Sequence, residues 1–434
     1  MDDSQAKDQP PVLYDRSFWG IAITQFLGAF NDNVYKQLVL LLAIPAGAGV
    51  AANEDWQGWA TFVFSLPFVL FSGFAGYLSD RWSKTPIIVA SKVAEIAIMI
   101  LGVIAFLNYD SWGMAGTWTV LFLMATQSTF FGPGKYGILP ELFRSSDLPR
   151  ANGLILMSTF LAIIFGFTIA GKLVDVLVGP NVQDNASRLW IGSLVCVGIA
   201  VVGTLTSLEI RRTPPAQPQA VFTRDNFGLS RDMIQLLRGD NPLLMALLVS
   251  CVFWMVASIA MPTVNRVGIG MLGLNNADTS LLVGMIAIGI MLGAPLGGFL
   301  CRKLPKHTAV SLGLWGIVIC LALLGLWQGN GLWLGLNATR VTLIVLGVSA
   351  AIYSIPLQVF LQDRPPDKLK GRMIATMNQA NFLGMLVAGP LYSLFLLIAD
   401  KMGWPVSSVF WMIGLMVMPI AILYRMGGRA HPET

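Results

Sequence analysis

Long apolar stretches separated by short polar turns fill almost the whole chain. Each stretch is long enough for a transmembrane α-helix, which needs roughly 20 mostly apolar residues. The predicted helices span 17–45, 57–78, 85–107, 117–140, 151–178, 187–208, 242–264, 278–300, 308–328, 340–362, 372–399 and 404–425. The pattern therefore predicts an all-α membrane protein with twelve transmembrane helices.

A polar break divides these helices into two sets of six. It begins at Arg211-Arg212-Thr213-Pro214-Pro215, and apolar residues recur within it at helical spacing, at Phe222, Leu229, Met233, Leu236 and Leu237. This spacing among charged residues predicts a short amphipathic helix on the membrane surface. We therefore divide the chain into a six-helix bundle at 1–208, a cytoplasmic linker at 209–241 and a second six-helix bundle at 242–434.

The two halves share short segments at an offset of about 220 residues, as diverged copies would. The segments 147–152 and 367–372 follow the fourth and tenth predicted helices, and 76–81 and 298–303 end the second and eighth. Such matches favour parallel repeats, in which two pseudo-symmetric bundles are related by an axis along the membrane normal. Two bundles of this kind around a central pathway make transport the first functional hypothesis.

Composition and charge agree with a multi-pass membrane protein. Hydrophobic residues make up 55% of the chain and charged residues only 12%, against about 25% charged residues in soluble proteins. If the N-terminus is cytoplasmic, most of the 28 Lys and Arg residues fall on the cytoplasmic side, so the positive-inside rule places both termini there. The basic residues are spread over short loops, and we therefore expect no nucleic-acid partner.

The chain offers little for metal, cofactor or enzyme chemistry. Its four cysteines lie scattered in apolar stretches without a Cys-x-x-Cys pair, and it has only two histidines. Neither a phosphate-binding loop nor the His-x-x-x-x-Asp pattern of an acyltransferase is present. We expect no metal site, no cofactor and no catalytic activity.

The first predicted helix carries a polar stripe on an otherwise apolar surface. At about 100° per residue, Gln25, Asp32 and Lys36 fall within an arc of roughly 40°, with Asn33 at its edge. An ionisable group at the bilayer centre costs about 2.5–3.5 kcal/mol, so these side chains must face a cavity. They indicate a substrate or proton site. The alternative is an ion pair between Asp32 and Lys36 that only holds helices together.

The fourth predicted helix ends in a run rich in glycine and proline, Gly132-Pro133-Gly134-Lys135-Tyr136-Gly137-Ile138-Leu139-Pro140. This composition predicts kinked, irregular backbone, which membrane proteins tolerate only where it is buried or lines a cavity. Lys135 is therefore expected in or near the pathway.

Further polar residues lie on the third and eleventh predicted helices. Asn378, Gln379 and Asn381 are candidates for head-group or gate contacts, with hydrogen bonds between helices as the alternative. Lys92 and Glu95 stand three residues apart on one helix face. We interpret these two as a local pair near the membrane surface.

The second predicted helix ends in a motif that is similar to the signature of a known protein family. Gly76-Tyr77-Leu78-Ser79-Asp80-Arg81-Trp82-Ser83-Lys84 resembles the Gly-x-x-x-Asp-Arg-x-Gly-Arg-Lys signature of the major facilitator superfamily, with Ser83 in place of the second glycine. A glycine at position 76 would permit close helix approach. The charges of Asp80, Arg81 and Lys84 would latch the cytoplasmic gate in one state and release it in another. The alternative is an ordinary solvated turn.

A more specific resemblance lies between residues 133 and 164. Lys-Tyr-Gly-Ile-Leu-Pro-Glu-Leu at 135–142, Ala-Asn-Gly-Leu at 151–154 and Phe-Asn-Asp-Asn at 30–33 resemble the bacterial lysophospholipid transporters of that superfamily. The resemblance implies inward flipping of lysophospholipids, chiefly lysophosphatidylethanolamine, across the inner membrane. It also implies roles for Asp32 as the first-helix acid, for Lys135, and, more loosely, for Arg266 as a basic residue of the seventh helix.

A zwitterionic head group needs an anion for its ammonium and a cation for its phosphate. Asp32 suits the first, and Lys135 or Arg266 suits the second, through charge-assisted hydrogen bonds. We expect a monomer surrounded by membrane lipids, and the resemblance leaves open a cytoplasmic acyltransferase partner. Two alternatives remain. One is a proton-coupled exporter of drugs or amphipathic metabolites that uses Asp32 as its titrating group, and the other is a non-transporting receptor or scaffold.

Overall fold

The computed structural model describes residues 15–45, 55–143, 147–179, 182, 185–219, 221, 231–329, 331–366 and 369–424. The helices of the first half are α1 (Arg16–Leu42), α2 (Gln57–Arg81), α3 (Lys84–Leu107), α4 (Tyr109–Gly137), α5 (Leu139–Leu142), α6 (Leu148–Leu177) and α7 (Trp190–Ser207). Those of the second half are α8 (Arg231–Gly239), α9 (Asn241–Gly270), α10 (Asn276–Lys303), α11 (Lys306–Leu324), α12 (Gly335–Asp363), α13 (Lys370–Lys401) and α14 (Ser408–Leu423). A short antiparallel pair, β1 (Trp327–Gln328) and β2 (Gly331–Leu332), follows α11.

The helices confirm the predicted all-α membrane architecture. Within the described ranges, nine helices are long and apolar enough to cross a membrane. The long helices α1 and α4 are not among the nine, and they carry the polar residues singled out above. Helix α14 has only 16 residues. The charged positions that lower the hydropathy of α1 and α4 are therefore the candidates for function.

The described residues group into two compact units. One unit comprises residues within Met1–Ala46 and Val63–Gly228, and the other comprises residues within Gly47–Phe62 and Leu229–Thr434. The first six residues of α2 thus belong to the second unit, although the rest of that helix belongs to the first. The first part of the predicted linker groups with the first unit. Helix α8 lies in its second part, while Phe222 and Leu229 lie outside the described residues.

Helix α1 lies inside the first unit, where α4, α6 and α7 pack around it. An apolar cluster surrounds its first turns and includes Phe18, Ile21, Ile88, Ile138, Leu139 and Ile155. Because neighbouring helices cover α1, its polar side chains face protein and not lipid. This arrangement explains how a membrane helix tolerates Asp32 and Lys36.

Helix α4 differs from the prediction at both ends. Near its start the chain is interrupted at Gly113, which has a φ of 53°, a conformation that favours glycine. Its last residues remain helical as far as Gly137 despite Pro133, and the break comes at Ile138, before the four-residue helix α5. The expectation of irregular backbone from Gly132 onward is therefore wrong, because the irregular part starts later.

Helix α8 is tied to the second unit by apolar and charged contacts. Met233 and Leu237 are buried on one face. On the other side, Asp232 lies 2.9 Å from the Arg372 guanidinium at the start of α13. Exposed ion pairs of this kind add little stability, so the buried apolar face is what holds the helix in place.

Helices α10 and α12 cross closely enough for their backbones to touch. A Cβ atom added at Gly289 would overlap the Ile344 carbonyl oxygen and the Cα atom of Gly347. Small residues at such crossings are typical of helix packing in membranes. The packing of the second unit therefore depends on glycine at this point.

We expect Gly289→Val to lower the unfolding free energy by about 1–3 kcal/mol, the usual cost of overpacking. Denaturant titration of the purified protein in detergent measures this change. Gly298→Val on the same helix is the matched control, because a Cβ there meets no atom of the described residues within 4 Å. Equal stability of the two variants would show that the crossing is loosely packed.

Candidate functional site

The polar stripe of α1 contacts three different helices of the first unit. The Ser128 hydroxyl of α4 donates a hydrogen bond to Asp32 Oδ2 at 2.5 Å. The Gln25 amide donates to Thr159 Oγ1 of α6 at 3.0 Å. One end of the stripe thus faces α6, and its middle faces α4.

The third member of the stripe faces α2. The Lys36 ammonium lies 4.2 Å from the centre of the Phe64 ring, a cation–π contact. It also acts electrostatically on Asp32. The structure thus brings Gln25, Asp32 and Lys36 onto one line inside the unit, as the helical spacing predicts. The alternative of a purely structural ion pair does not describe the contacts of Lys36.

Lys135 of α4 belongs to the same charged group. Its ammonium lies 5.8 Å from the centre of the Phe131 ring, and it interacts electrostatically with Asp32. One half-buried carboxylate therefore stands among half-buried ammonium groups from two helices. Such a site can bind an anion and a cation side by side.

A buried hydrogen-bond acceptor without a partner lies at the Gln25 end of the polar stripe. The Gln25 carbonyl oxygen is buried and has no hydrogen-bond partner among the residues that the structure describes. Leaving such a group unsatisfied costs about 1–3 kcal/mol. The amide of Asn33, by contrast, donates to the Ala29 carbonyl of its own helix at 2.7 Å. Gln25 is thus the better candidate for binding a ligand donor.

Lys92 and Glu95 of α3 form an ion pair buried inside the helix bundle. Their side chains are 0% and 1% exposed, so the two residues form a local pair, as their spacing predicts, that is buried among helices and does not lie on the surface of the bundle. Asn31 of α1 donates a second hydrogen bond to Glu95 Oε1 at 2.6 Å. Lys92 and Glu95 both act electrostatically on Asp32. The pair therefore belongs to the surroundings of the candidate site.

Arg266 lies in the second unit with partners that the sequence did not suggest. Its guanidinium Nε atom lies 3.8 Å from Oδ2 of the buried Asp55. The Tyr392 hydroxyl donates to the same carboxylate oxygen at 3.1 Å. The Asn265 amide donates to Gln57 Oε1 at 3.1 Å, beside Asp55. Burial raises the pKa of Asp55, which Arg266 and the hydrogen bonds counteract.

We expect Arg266→Gln to lower the unfolding free energy by about 1–3 kcal/mol, because Asp55 then stays buried without its cation. The loss should be largely reversed in the double variant Arg266→Gln/Asp55→Asn, since a neutral amide keeps an acceptor for Tyr392. A denaturant series on the single and double variants measures both changes. Additive losses in the double variant would contradict the pairing.

The polar residues of α13 have different surroundings. Asn381 is buried and its carbonyl oxygen accepts a hydrogen bond from the Ser250 hydroxyl of α9 at 2.9 Å. For Asn381, this contact matches the alternative given in the sequence analysis, in which the polar residues of this helix form hydrogen bonds to neighbouring helices. Asn378 is exposed and Gln379 is half-buried. A head-group role for these three residues remains a prediction.

The motif at the end of α2 makes several contacts within the first unit. Lys84 forms an ion pair with Glu141 of α5, and Arg81 donates to the Tyr77 hydroxyl. The Asp80 carbonyl accepts from the Gln217 amide at 2.7 Å. Within the described residues, a Cβ at Gly76 would meet no atom within 4 Å, so close helix approach at this glycine remains a prediction. The latch itself remains a prediction.

A sequence model of the Major Facilitator Superfamily matches residues 21–389, most of the chain. This chain belongs to the major facilitator superfamily. A similar relative is "Lysophospholipid transporter LplT" from Yersinia pestis (strain Pestoides F), 26% identical over 410 residues, which cover 93% of this chain and 91% of the relative. The similarity thus extends over nearly the full length of both chains.

Solved structures of two other transporters have a similar fold. The POT family transporter PepTSo has a TM-score of 0.72 at 13% identity, covering 94% of this chain and 97% of that one. A bacterial homologue of the iron transporter ferroportin, in an inward-facing state, has a TM-score of 0.68 at 12% identity, covering 94% of this chain and 98% of that one. At these identities the likeness concerns the fold.

Sequence reasoning missed Ser128, Asp55 and Tyr392. Ser128 stands within the polar run Gln127-Ser128-Thr129 inside an apolar helix, which was a usable signal for a site facing the bundle interior. Asp55 and Tyr392 are far apart in the chain, and nothing in the local pattern relates them.

Proposed function

We propose that this protein is a secondary transporter that flips lysophospholipids, chiefly lysophosphatidylethanolamine, across a bacterial inner membrane by alternating access. The observation that carries the proposal is the charged group around Asp32. It places one carboxylate and two ammonium groups, those of Lys36 and Lys135, on helices that are otherwise apolar. The similarity to proteins named as lysophospholipid transporters supports the same substrate class.

The geometry suggests a role for each side chain toward a zwitterionic head group. Asp32 accepts hydrogen bonds from the ammonium, and the unpartnered Gln25 carbonyl oxygen, about two helical turns away, offers an acceptor to a different donor of the lipid. Lys135, together with Lys36, neutralises the phosphate. We assign the phosphate to Lys135 and not to Arg266, since Arg266 already faces Asp55 in the second unit.

The same proposal extends to the orientation of the chain, its cytoplasmic gate and its partners. Both termini lie in the cytoplasm, and Asp80, Arg81 and Lys84 form part of the cytoplasmic gate. A single polypeptide suffices for the pathway, and a cytoplasmic acyltransferase would consume the delivered lysophospholipid. No catalytic step occurs on the protein itself.

Movement of labelled lysophosphatidylethanolamine across proteoliposomes tests this function. We expect protein-dependent movement of the lysophospholipid and none of the diacyl phospholipid or of water-soluble glycerophosphoethanolamine. Absence of movement with folded protein would contradict the proposal. Movement of cationic amphiphiles driven by a pH gradient, in place of lysophospholipids, would instead support a proton-coupled exporter.

A further inference from the structure

A groove of about 650 Å³ lies in the first unit between α2, α3 and α4. Its lining is mostly apolar and includes Trp82, Ala90, Ala94, Ile98, Leu123 and Phe130. The volume falls within the range of about 300–1,000 Å³ that is usual for small-molecule sites. The groove lies beside the candidate site around Asp32.

The floor of the groove follows one face of α3. Pro86, Ala90, Ala94 and Ile98 recur at every fourth position, so their side chains lie on the same side of the helix. The first three are exposed. Between Pro86 and Ile98 the helix rises about 18 Å. One leaflet of a hydrocarbon core about 30 Å thick is of similar depth. The groove is therefore as long as an acyl chain that lies along α3 in one leaflet.

The floor of the groove offers one track for an acyl chain. The four floor positions on α3 lie in a single row along the helix. A single row suits a lipid with one acyl chain, which is the class that the proposed function moves.

The opening of the groove lies at the turn between α2 and α3, beside Trp82 and Ser83. The Trp82 side chain is 56% exposed, and tryptophan is typical of the membrane–water interface. Asp80 and Arg81 precede it directly and are also exposed. The Ser83 hydroxyl oxygen is buried and lacks a hydrogen-bond partner among the described residues. Ser83 thus leaves a hydroxyl group without a described partner at this end of the groove, close in the chain to the exposed residues Asp80 and Arg81.

The inner wall of the groove connects to the candidate site. Gln127 of α4 lines the groove. Its carbonyl oxygen lies 3.2 Å from the Ser128 hydroxyl, which is hydrogen-bonded to Asp32. A change at Asp32 can therefore reach the groove through two adjacent polar side chains. This continuity separates the groove from an ordinary lipid-facing depression.

We infer that this groove is a second lipid site, in which a single-chain phospholipid rests with its acyl chain along α3 and its head group at the α2–α3 turn. The inference rests on the proposed function, because it takes the lipid bound in the groove to be the same substrate whose head group Asp32 binds. An acyl chain gains no hydrophobic energy by leaving the bilayer for an apolar groove, since lipid tails are equally apolar. The groove therefore selects by shape and by the polar groups at its opening.

Photo-cross-linking of the full-length protein in vesicles tests this site directly. The probe is lysophosphatidylethanolamine with a diazirine near the end of its acyl chain. We expect labelled peptides from residues 86–98 of α3, and we expect unlabelled lysophosphatidylethanolamine to reduce that labelling by at least tenfold while diacyl phosphatidylethanolamine leaves it unchanged. Equal competition by both lipids would mean that the groove holds bulk membrane lipid only, and the inference would be wrong.

A substitution that fills the groove provides the second measurement. Ala94→Phe places a ring on its floor, whereas Val93→Phe is the matched control, because the neighbouring Val93 is 53% exposed and does not line the groove. We expect Ala94→Phe to lower both the competed labelling and the transport rate about tenfold, and Val93→Phe to change neither by more than twofold.

The two proposals fail in different ways. If the wild-type protein moves lysophosphatidylethanolamine and Ala94→Phe matches Val93→Phe in labelling and in rate, the groove inference is wrong and the proposed function stands. If the wild-type protein moves no lysophospholipid but shows selective, competed labelling of α3, the proposed function is wrong and the groove is still a single-chain lipid site.

Discussion

Asp32→Asn is expected to lower lysophosphatidylethanolamine transport by about 10- to 100-fold while the protein remains folded. Replacing the carboxylate by an amide removes the negative charge but keeps an oxygen that accepts from Ser128. A hydrogen bond to a charged group contributes about 1.5–3 kcal/mol, which corresponds to that range of rates. Initial rates in proteoliposomes, at matched protein content, measure the effect.

The matched control is Asn33→Ala at the next position of α1. The Asn33 side chain donates to a carbonyl of its own helix, so its loss should change the rate by no more than about twofold. Thermal melting and gel filtration of both variants show whether each is folded. A folded Asp32→Asn variant with wild-type transport would show that the carboxylate has no role in binding the head group.

Lys92→Met is expected to lower the unfolding free energy by about 3–5 kcal/mol, the usual cost of breaking a buried ion pair from one side. Both members of the pair are essentially inaccessible, so Glu95 would remain buried with the Asn31 amide as its remaining described partner. The packing leaves little room for rearrangement, because a Cβ at Gly203 would lie within 3.2 Å of the Lys92 ammonium. Denaturant titration in detergent gives the free energy.

Two further variants make this prediction specific. Lys92→Met/Glu95→Gln should recover most of the loss, since it leaves no uncompensated charge in the bundle. Lys172→Met on α6 is the matched control, because Lys172 is exposed and its replacement should change stability by less than about 0.5 kcal/mol. A small effect of Lys92→Met alone would mean that Glu95 is neutral or reaches water.

The position of the polar stripe could be predicted from the sequence because helical periodicity alone relates Gln25, Asp32 and Lys36. The partners of the stripe could not be predicted in the same way. Ser128 and Thr159 come from helices about 100 or more residues further along the chain, and their contacts depend on how the helices pack. Local spacing carries no such information.

The Lys92–Glu95 pair shows the same limit in another form. Its spacing predicts that the two side chains meet on one helix face, and they do. Whether that face meets water or other helices depends on the packing of α3 against α4 and α7, and on Asn31 of α1. Likewise, the charge of Arg266 was evident, but its partner Asp55 precedes α2 in a segment that groups with the second unit.

The most direct test of the central claim compares two head groups on wild-type protein and Asp32→Asn. Lysophosphatidylethanolamine carries an ammonium group, and lysophosphatidylglycerol with the same acyl chain does not. If the Asp32 carboxylate binds the ammonium, the substitution will slow movement of the first lipid about tenfold or more and will leave the second within about twofold. Equal losses for both lipids would contradict the account, because Asp32 would then serve the structure or proton movement and not the head group.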